Sequence, residues 1–269
     1  MAVSGIIRVM ERAARKAGQR LRRDFGEVEH LQVSRKGPAD FVTKADRASE
    51  RTLYDELLQA RPDWGFVLEE AGVIEGDPTM PRWVIDPLDG TSNFIHSLPH
   101  FAISIAVQEP RLDGKGWGEI SASLVYQPIT DESFWAEKNR GAWLNDRRLR
   151  VSGRRRMGEC VFATGLPFSG QGDLPASLKD LGRILPGCAG VRRWGAASLD
   201  MAYVAGGRFD GFWERGLKAW DLAAGILIVR EAGGFVEAID PEEQILESGQ
   251  VIASNEAMFE PFAKLIRNV

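Results

Sequence analysis

Residues 83 to 94 read Trp-Val-Ile-Asp-Pro-Leu-Asp-Gly-Thr-Ser-Asn-Phe, and two carboxylates, Asp86 and Asp89, stand three residues apart within them. Val84 and Ile85 read as a short buried strand that delivers Asp86; Pro87 ends that strand, and Asp89-Gly90-Thr91 turns the chain into a helix N-terminus. Acids on a rigid turn suit a hard divalent cation such as Mg2+, and the backbone N–H groups of Gly90 and Thr91 suit a phosphate. Alone, an Asp-x-x-Asp in a Pro/Gly turn is ordinary turn chemistry. Its company changes the reading. Glu69-Glu70 follows a second short buried run, Gly65 to Leu68, and Asp221 stands at the start of a further helix. Carboxylates brought within a few ångströms repel and raise one another's pKa unless cations sit among them, and a two-metal phosphate site resolves that repulsion.

The elements that must position these groups can be read from periodicity. Ile6, Met10, Ala13, Ala14, Ala17, Leu21 and Phe25 recur at helical spacing, so the basic N-terminal stretch is a packed amphipathic helix rather than a transit peptide. Val33 to Thr43 reads as a loop and hairpin. Asp46 reads as the N-cap of a helix running toward Ala60 and stopped at Arg61-Pro62. Phe101 to Val107, Trp117 to Tyr126 and Glu132 to Glu137 form an antiparallel sheet, with turns at Gln127-Pro128 and Asn139-Arg140-Gly141, that closes near Leu149-Arg150-Val151. The basic run Arg147 to Arg156 breaks at Ser152-Gly153 and marks a boundary. Residues 1–150 are then an N-terminal α+β subdomain with most of the metal ligands, and 151–269 an α/β subdomain that contributes Asp221 and substrate contacts. In the second part Val161 to Gly165 is a strand, Ser169 to Pro175 a loop, and Ala176 to Leu185 and Ala197 to Ala205 helices. Arg208 to Glu214 is a strand, and Asp221 caps a helix from Leu222 to Ala232 that ends at Gly233-Gly234. Strands alternating with helices give an α/β class.

Composition narrows the function. Lys plus Arg number 34 against 38 Asp plus Glu in 269 residues, so no general pull toward nucleic acid or anionic membrane exists. No apolar run approaches the roughly 18 to 20 residues that span a bilayer. Cys160 and Cys188 are the only cysteines, without Cys-x-x-Cys spacing, which places the protein in a reducing cytoplasm without a disulfide. Neither has an Arg six residues on, where a cysteine phosphatase needs one, and no Asp-x-Asp pair offers an aspartyl-phosphate route. His96 and His100 have the spacing of a helical zinc pair, but Pro99 between them spoils the helix, so both read as structural.

With these residues in view, the sequence resembles the inositol monophosphatase family of Mg2+-dependent, lithium-sensitive phosphatases over nearly its whole length. The motifs that carry the resemblance are Asp86-Pro87-Leu88-Asp89-Gly90-Thr91-Ser92-Asn93-Phe94, Trp220-Asp221-Leu222-Ala223-Ala224-Gly225 running on to Glu231-Ala232-Gly233-Gly234, the acidic pair Glu69-Glu70, and the segment Lys36 to Asp46. The resemblance implies a layered α-β-α-β-α sandwich of the inositol monophosphatase/fructose-bisphosphatase type. It implies Glu69, Asp86 and the Leu88 carbonyl as ligands of a first metal, Asp86, Asp89 and Asp221 as ligands of a second, and a third, looser Mg2+ served by Glu70. Thr91, paired with Asp46, would position and activate the attacking water, so that a metal-activated water attacks in line and no phosphoenzyme forms. Gly90 and Thr91 would hold the phosphate, and Asp89, Gly195, Ala196, Ala197 and Glu214 would meet the hydroxyls of a polyol or sugar. Ala196 stands where many relatives carry Ser or Thr, and Thr164 to Phe168 departs from the animal enzymes' version.

The expected reaction is hydrolysis of a phosphate monoester of the inositol 1-phosphate type by a cytoplasmic homodimer. Fructose-1,6-bisphosphatase, histidinol-phosphatase and nucleotide 3'-phosphatase activities on the same core are alternatives. From another class, the alternative is a binding protein of the transcription machinery with a secondary phosphatase site. Arg147, Arg148, Arg150, Arg154, Arg155 and Arg156 carry no aromatic interleaving or nucleic-acid motif, and read as a solvated hairpin edge protected from pairing by charge.

Overall fold

The computed structural model describes residues 3–25, 33–37, 40–113, 116–167 and 172–268. Pro38 and Ala39 of the Lys36 to Asp46 segment, and Phe168 to Gln171 of the expected loop, lie outside the described residues.

Helix α1 (Gly5–Asp24) starts where Ser4 caps it, its side chain accepting from Ile7 N at 3.3 Å. Ile7, Met10, Ala13, Ala14, Ala17 and Leu21 fill the buried face, and burying each of the larger ones contributes about 1.5–3 kcal/mol. That face sits so close to the sheet that a Cβ on Gly18 would lie 2.7 Å from the Tyr126 ring. The expected amphipathic helix is therefore packed. Strands β1 (Val33–Gly37) and β2 (Asp40–Thr43) pair as an antiparallel hairpin that leads into α2 (Lys44–Ala60). Lys16 and Arg12 reach Glu56 from α1 and tie the two helices side by side.

The first sheet follows: β3 (Gly65–Leu68), β4 (Gly72–Ile74), β5 (Arg82–Asp89), β6 (Ala102–Pro110), β7 (Trp117–Gln127), β8 (Glu132–Glu137), β9 (Gly141–Leu144) and β10 (Arg147–Arg148). The short helix α3 (Thr91–Ile95) interrupts it between β5 and β6. The strand order is β10-β9-β8-β7-β6-β5-β3-β4, antiparallel throughout except for the parallel β3–β5 pair. That pair sets Leu68, the last residue of β3, beside Ile85 of β5, and each is followed by an acid, Glu69 and Asp86.

The second sheet holds β11 (Val161–Thr164), β12 (Gly190–Arg192), β13 (Gly211–Glu214), β14 (Phe235–Glu237) and β15 (Val251–Ser254) in the order β12-β11-β13-β15-β14. Helices α4 (Leu174–Ile184), α5 (Ala197–Ala205), α6 (Ala219–Glu231), α7 (Ile245–Ser248) and α8 (Glu256–Arg267) accompany it. Helices α1 and α2 cover one face of the first sheet, while α6 lies on its other face beside α5, which packs on the second sheet. Helices α4 and α8 pack together, with α8 against β15. The layers therefore run α-β-α-β-α, as expected. Every residue of α5 is buried, which is what a helix in a middle layer requires and why it shows no polar face. A Cβ on Gly225 of α6 would come within 2.7 Å of Met201 on α5, so the two helices touch backbone to side chain.

Four local expectations need correction. Pro87 does not end its strand: Asp86 pairs Ser104 and Asp89 pairs Ala102, with an irregularity between them, so the proline without an N–H occupies a bulge and the ladder resumes. Asp46 is not the N-cap, because α2 already begins at Lys44; the acid sits in the first turn. Asp221 caps from inside the helix, accepting from Lys218 N at 2.7 Å at the third helical position. Helix α4 begins at Leu174, two residues early, because Asp173 caps it and Pro175 suits the first turn.

Candidate active site

The bulge of β5 is held from three directions. Leu88 N donates to Asp86 Oδ1 at 2.9 Å, Ser49 Oγ of α2 donates to the Pro87 carbonyl at 2.8 Å, and Thr91 Oγ1 lies 3.1 Å from the Leu88 carbonyl. Gly90 then takes φ +94°, and a Cβ there would stand 3.0 Å from the His100 carbonyl and 3.2 Å from Ala196 Cβ. Only glycine meets both the left-handed backbone and that close approach. The turn sets Thr91 at the first position of α3, where its hydroxyl lies 2.9 Å from Asp46 Oδ1.

Carboxylate oxygens of Asp86, Asp89 and Asp221 lie within 4.8 Å of one another. The first two flank the bulge in the second half of β5, and the third rides on α6, 132 residues after Asp89 in the sequence. Burial first, then the charges of Glu69, Asp89 and Asp221, hold Asp86 well above the ordinary carboxylate range. Burial and Asp89 push Asp221 up to about 7. Burial also raises Asp89, against hydrogen bonds from Ser198 N at 2.8 Å, Ser198 Oγ at 2.5 Å and Ala197 N at 3.2 Å. Three acids whose charged forms burial and repulsion both oppose, with only oxygen donors, fit a hard divalent cation. Glu69 lines the same cleft and acts electrostatically on Asp86, although it stands outside the tight trio.

The cleft above the trio has a volume of about 420 Å3 and is lined by Glu69, Asp89, Gly90, Thr91, Gly195, Ala197, Glu214 and Asp221 among others. Ala196 does not line it; its side chain is buried beneath, against Gly90. Glu214 is aimed across the end of β11: a Cβ on Gly165 would overlap its carboxylate. Burial, then Asp200, Asp221 and Asp89, raise Glu214 well above the ordinary range. Glu70 and Leu88 are placed less directly. The backbone N–H of Glu70 donates to Glu50 Oε2 at 2.8 Å and that of Ala71 to Glu50 Oε1 at 3.1 Å, so a buried glutamate of α2 fixes the turn that carries Glu69 and Glu70.

Glu50, Ser49 and Ser198 join the site without a signal in the sequence: each acts on a partner 20 to 109 residues away, and no local spacing announces such a contact. His100 is structural, as expected, but it has a partner the sequence did not show, Asp200 at 3.1 Å. His96 is exposed. A larger depression of about 640 Å3 runs along Ser152 to Arg156; its side chains are those of Ser152, three arginines and Glu159, and no cluster of acids lines it. There Arg154 pairs with Asp210 and Arg156 with Glu159, and Arg147 and Arg148 stand exposed on the edge strand β10.

A layered sandwich with acids converging from two sheets' connections on a bulged strand end is the architecture of a metal-dependent phosphatase. The chain matches the Inositol monophosphatase family profile over residues 3–269. It is 49% identical over 269 residues to an inositol-1-monophosphatase of Rhizobium meliloti, covering 100% of this chain and 97% of that one. It is 44% identical to the Nus factor SuhB of Pseudomonas aeruginosa, covering 97% of this chain and 96% of that one. Its fold superposes on the crystal structure of the extragenic suppressor protein suhB of Bartonella henselae with a TM-score of 0.92 at 47% identity, covering 98% and 99% of the two chains. The chain belongs to the inositol monophosphatase family.

Proposed function

We propose that the chain hydrolyses phosphate monoesters of a small polyol, with inositol 1-phosphate as the representative substrate, using two Mg2+ ions and a third, looser one. The observation that carries this reading is the Asp86, Asp89 and Asp221 trio beside the Thr91–Asp46 hydrogen bond. Glu69, Asp86 and the Leu88 carbonyl would hold one ion and Asp86, Asp89 and Asp221 the other, with Glu70 serving the third. When bound, such ions neutralise phosphate charge and acidify water. The chain's own groups do the rest. Thr91 Oγ1 donates its hydrogen bond to the Asp46 carboxylate, which leaves its lone pairs to accept from a water and orient it. Gly90 and Thr91 hold the phosphate through backbone N–H groups. Asp89 and Glu214, with Gly195 and Ala197, meet the leaving group's hydroxyls, and the burial of Asp86 and Asp89 limits screening of the charges by bulk water.

Phosphate release from inositol 1-phosphate, fructose 1,6-bisphosphate, histidinol phosphate and a nucleotide 3'-phosphate, with and without Mg2+ and Li+, tests the reading. Mg2+-dependent, Li+-inhibited release that favours the inositol ester is expected; no release from any of them with Mg2+ sinks it. The relative named inositol-1-monophosphatase at 49% identity supports the inositol ester over the alternatives. A homodimer in the cytoplasm belongs to the same reading and is checked by gel filtration and fractionation; among the described residues no helix is long and apolar enough to cross a membrane. The name Nus factor SuhB of a relative at 44% identity supports a second role, contact with the transcription machinery, which co-purification with RNA polymerase tests.

A further inference from the structure

Gly195 and Ala197 line the cleft beside the phosphate turn, with Ala196 packed beneath them against Gly90, and both ends of that wall are tied to the turn by groups the mechanism does not use. At the front end, Asn93 sits on α3 two residues after Thr91 and is 8% exposed. Its single amide nitrogen spends both hydrogens on separate segments, donating to the His100 carbonyl at 2.7 Å and to the Trp194 carbonyl at 2.7 Å. Trp194 immediately precedes Gly195. At the far end, Asp200 lies on α5, which begins at Ala197 and whose first turn supplies the amides that hold Asp89. Asp200 is 1% exposed, and its Oδ1 lies 3.1 Å from His100 Nε2. The His100 ring is wedged between Trp194 and Tyr203, at 4.7 and 5.7 Å between centroids. Burial lowers His100 to about 4, so the ring is neutral near pH 7. Burial, and then the charge of Asp89, hold Asp200 well above the ordinary carboxylate range, and loss of the hydrogen bond between the two leaves two polar groups without a partner in a largely enclosed place.

We propose that Asn93, His100 and Asp200 are positioning residues that clamp the Gly195–Ala197 wall against the Gly90–Thr91 turn and so set the discrimination between leaving groups. The clamp acts on the wall that faces the hydroxyls and leaves Thr91 and Asp46 untouched. It therefore matters for an ester with hydroxyls and little for one without them. This inference rests on the phosphatase reading given above.

Wild type, His100→Phe, Asp200→Asn and Asp200→Leu are assayed with Mg2+ on inositol 1-phosphate and on p-nitrophenyl phosphate, whose leaving group bears no hydroxyl. His100→Phe keeps a ring against Trp194 and Tyr203 but removes the hydrogen bond. It is expected to raise KM for the inositol ester about tenfold, the scale of a small misplacement, and to leave aryl-ester turnover within about twofold. Asp200→Leu behaves alike. Asp200→Asn offers both a donor and an acceptor, so it meets either tautomer of His100 and restores the wild-type ratio of the two esters. Hydrogen exchange of the 194–200 segment, measured without substrate or metal, rises in His100→Phe and not in Asp200→Asn. If the leucine variant fails to fold, the phenylalanine variant decides. Equal losses on both esters, no change on either, or unchanged exchange in His100→Phe overturns the clamp. A wild type inactive on both esters overturns the phosphatase reading itself, before any variant is made.

Discussion

Thr91 Oγ1 lies 2.9 Å from Asp46 Oδ1, joining the first residue of one helix to the first turn of another across 45 residues of sequence. A hydroxyl has one hydrogen to donate, and the nearer of its two acceptors here is the carboxylate, with the Leu88 carbonyl at 3.1 Å. The oxygen is left as an acceptor with a fixed direction, which is what a group that orients water requires. Thr91→Val keeps the shape and removes the oxygen. We expect kcat to fall by about 10²- to 10⁴-fold, the range of positioned general acid–base groups, with KM little changed. Asp46→Asn should lower kcat less, since the hydroxyl survives. Steady-state kinetics on both variants check this; a Thr91→Val enzyme within about threefold of wild type removes Thr91 from the reaction.

The acidic trio makes a prediction about the metal-free protein. Asp221 is raised to about 7 from an ordinary value near 3.8, so the folded state binds its proton more tightly than the unfolded state does. The stabilisation this gives is complete below about pH 4 and is lost as pH rises through about 7. The melting temperature in chelator should therefore fall between pH 4 and 7, and Mg2+ should remove most of that fall, because an ion that binds only the folded state stabilises it by mass action. Asp89→Asn removes one charged ligand. It should abolish turnover while keeping the fold, and its melting curve should respond much less to Mg2+. Differential scanning calorimetry at several pH values, with and without Mg2+, separates the outcomes; a wild-type midpoint indifferent to Mg2+ would contradict the ligand assignment.

What could be read from the chain was what lies close together in it. Asp86 to Thr91 is contiguous, and its strand, turn and helix start each have a local signal: an apolar pair, a glycine that takes φ +94°, and a helix that follows. Glu69 and Asp221 were found because each stands at the end or start of an element. Helix α5 was read to the residue, from Ala197 to Ala205. Pro87 departs from the local rule that a proline stops a strand, because β6 continues the ladder at Asp89. The supports could not be read at all. Ser198 and Glu50 are ordinary helical residues in sequence, and only the stacking of layers brings them to Asp89 and to the Glu70 turn.

The two thiols should differ in reactivity. Cys160 is fully buried, and burial, with Asp210 nearby, pushes its thiol up to about 11, so almost no thiolate exists near pH 8. Cys188 is half-buried and free. Iodoacetamide at pH 8 should modify Cys188 in the native protein and Cys160 only after unfolding. Peptide mass mapping before and after denaturant reads this directly, and rapid native labelling of Cys160 would show that the β11 layer opens.

Gly165 tests the substrate side without touching a ligand. A Cβ at this position would overlap the Glu214 carboxylate, yet the backbone there is not in the left-handed region, so alanine costs little in conformation. The side chain that must yield is Glu214, a terminal carboxylate on a flexible stem. In Gly165→Ala that carboxylate should swing away from its place over the end of β11, and the contact proposed for it with the leaving group's hydroxyls should go with it. Since that contact is made before and during the reaction alike, its loss raises KM and spares kcat. We expect a rise of about tenfold in KM for inositol 1-phosphate, the size of one lost hydrogen bond, and Glu214→Gln should raise it in the same direction. Initial-rate kinetics on the two variants decide: if KM stays within about twofold of wild type in both, Glu214 faces the cleft without binding the substrate.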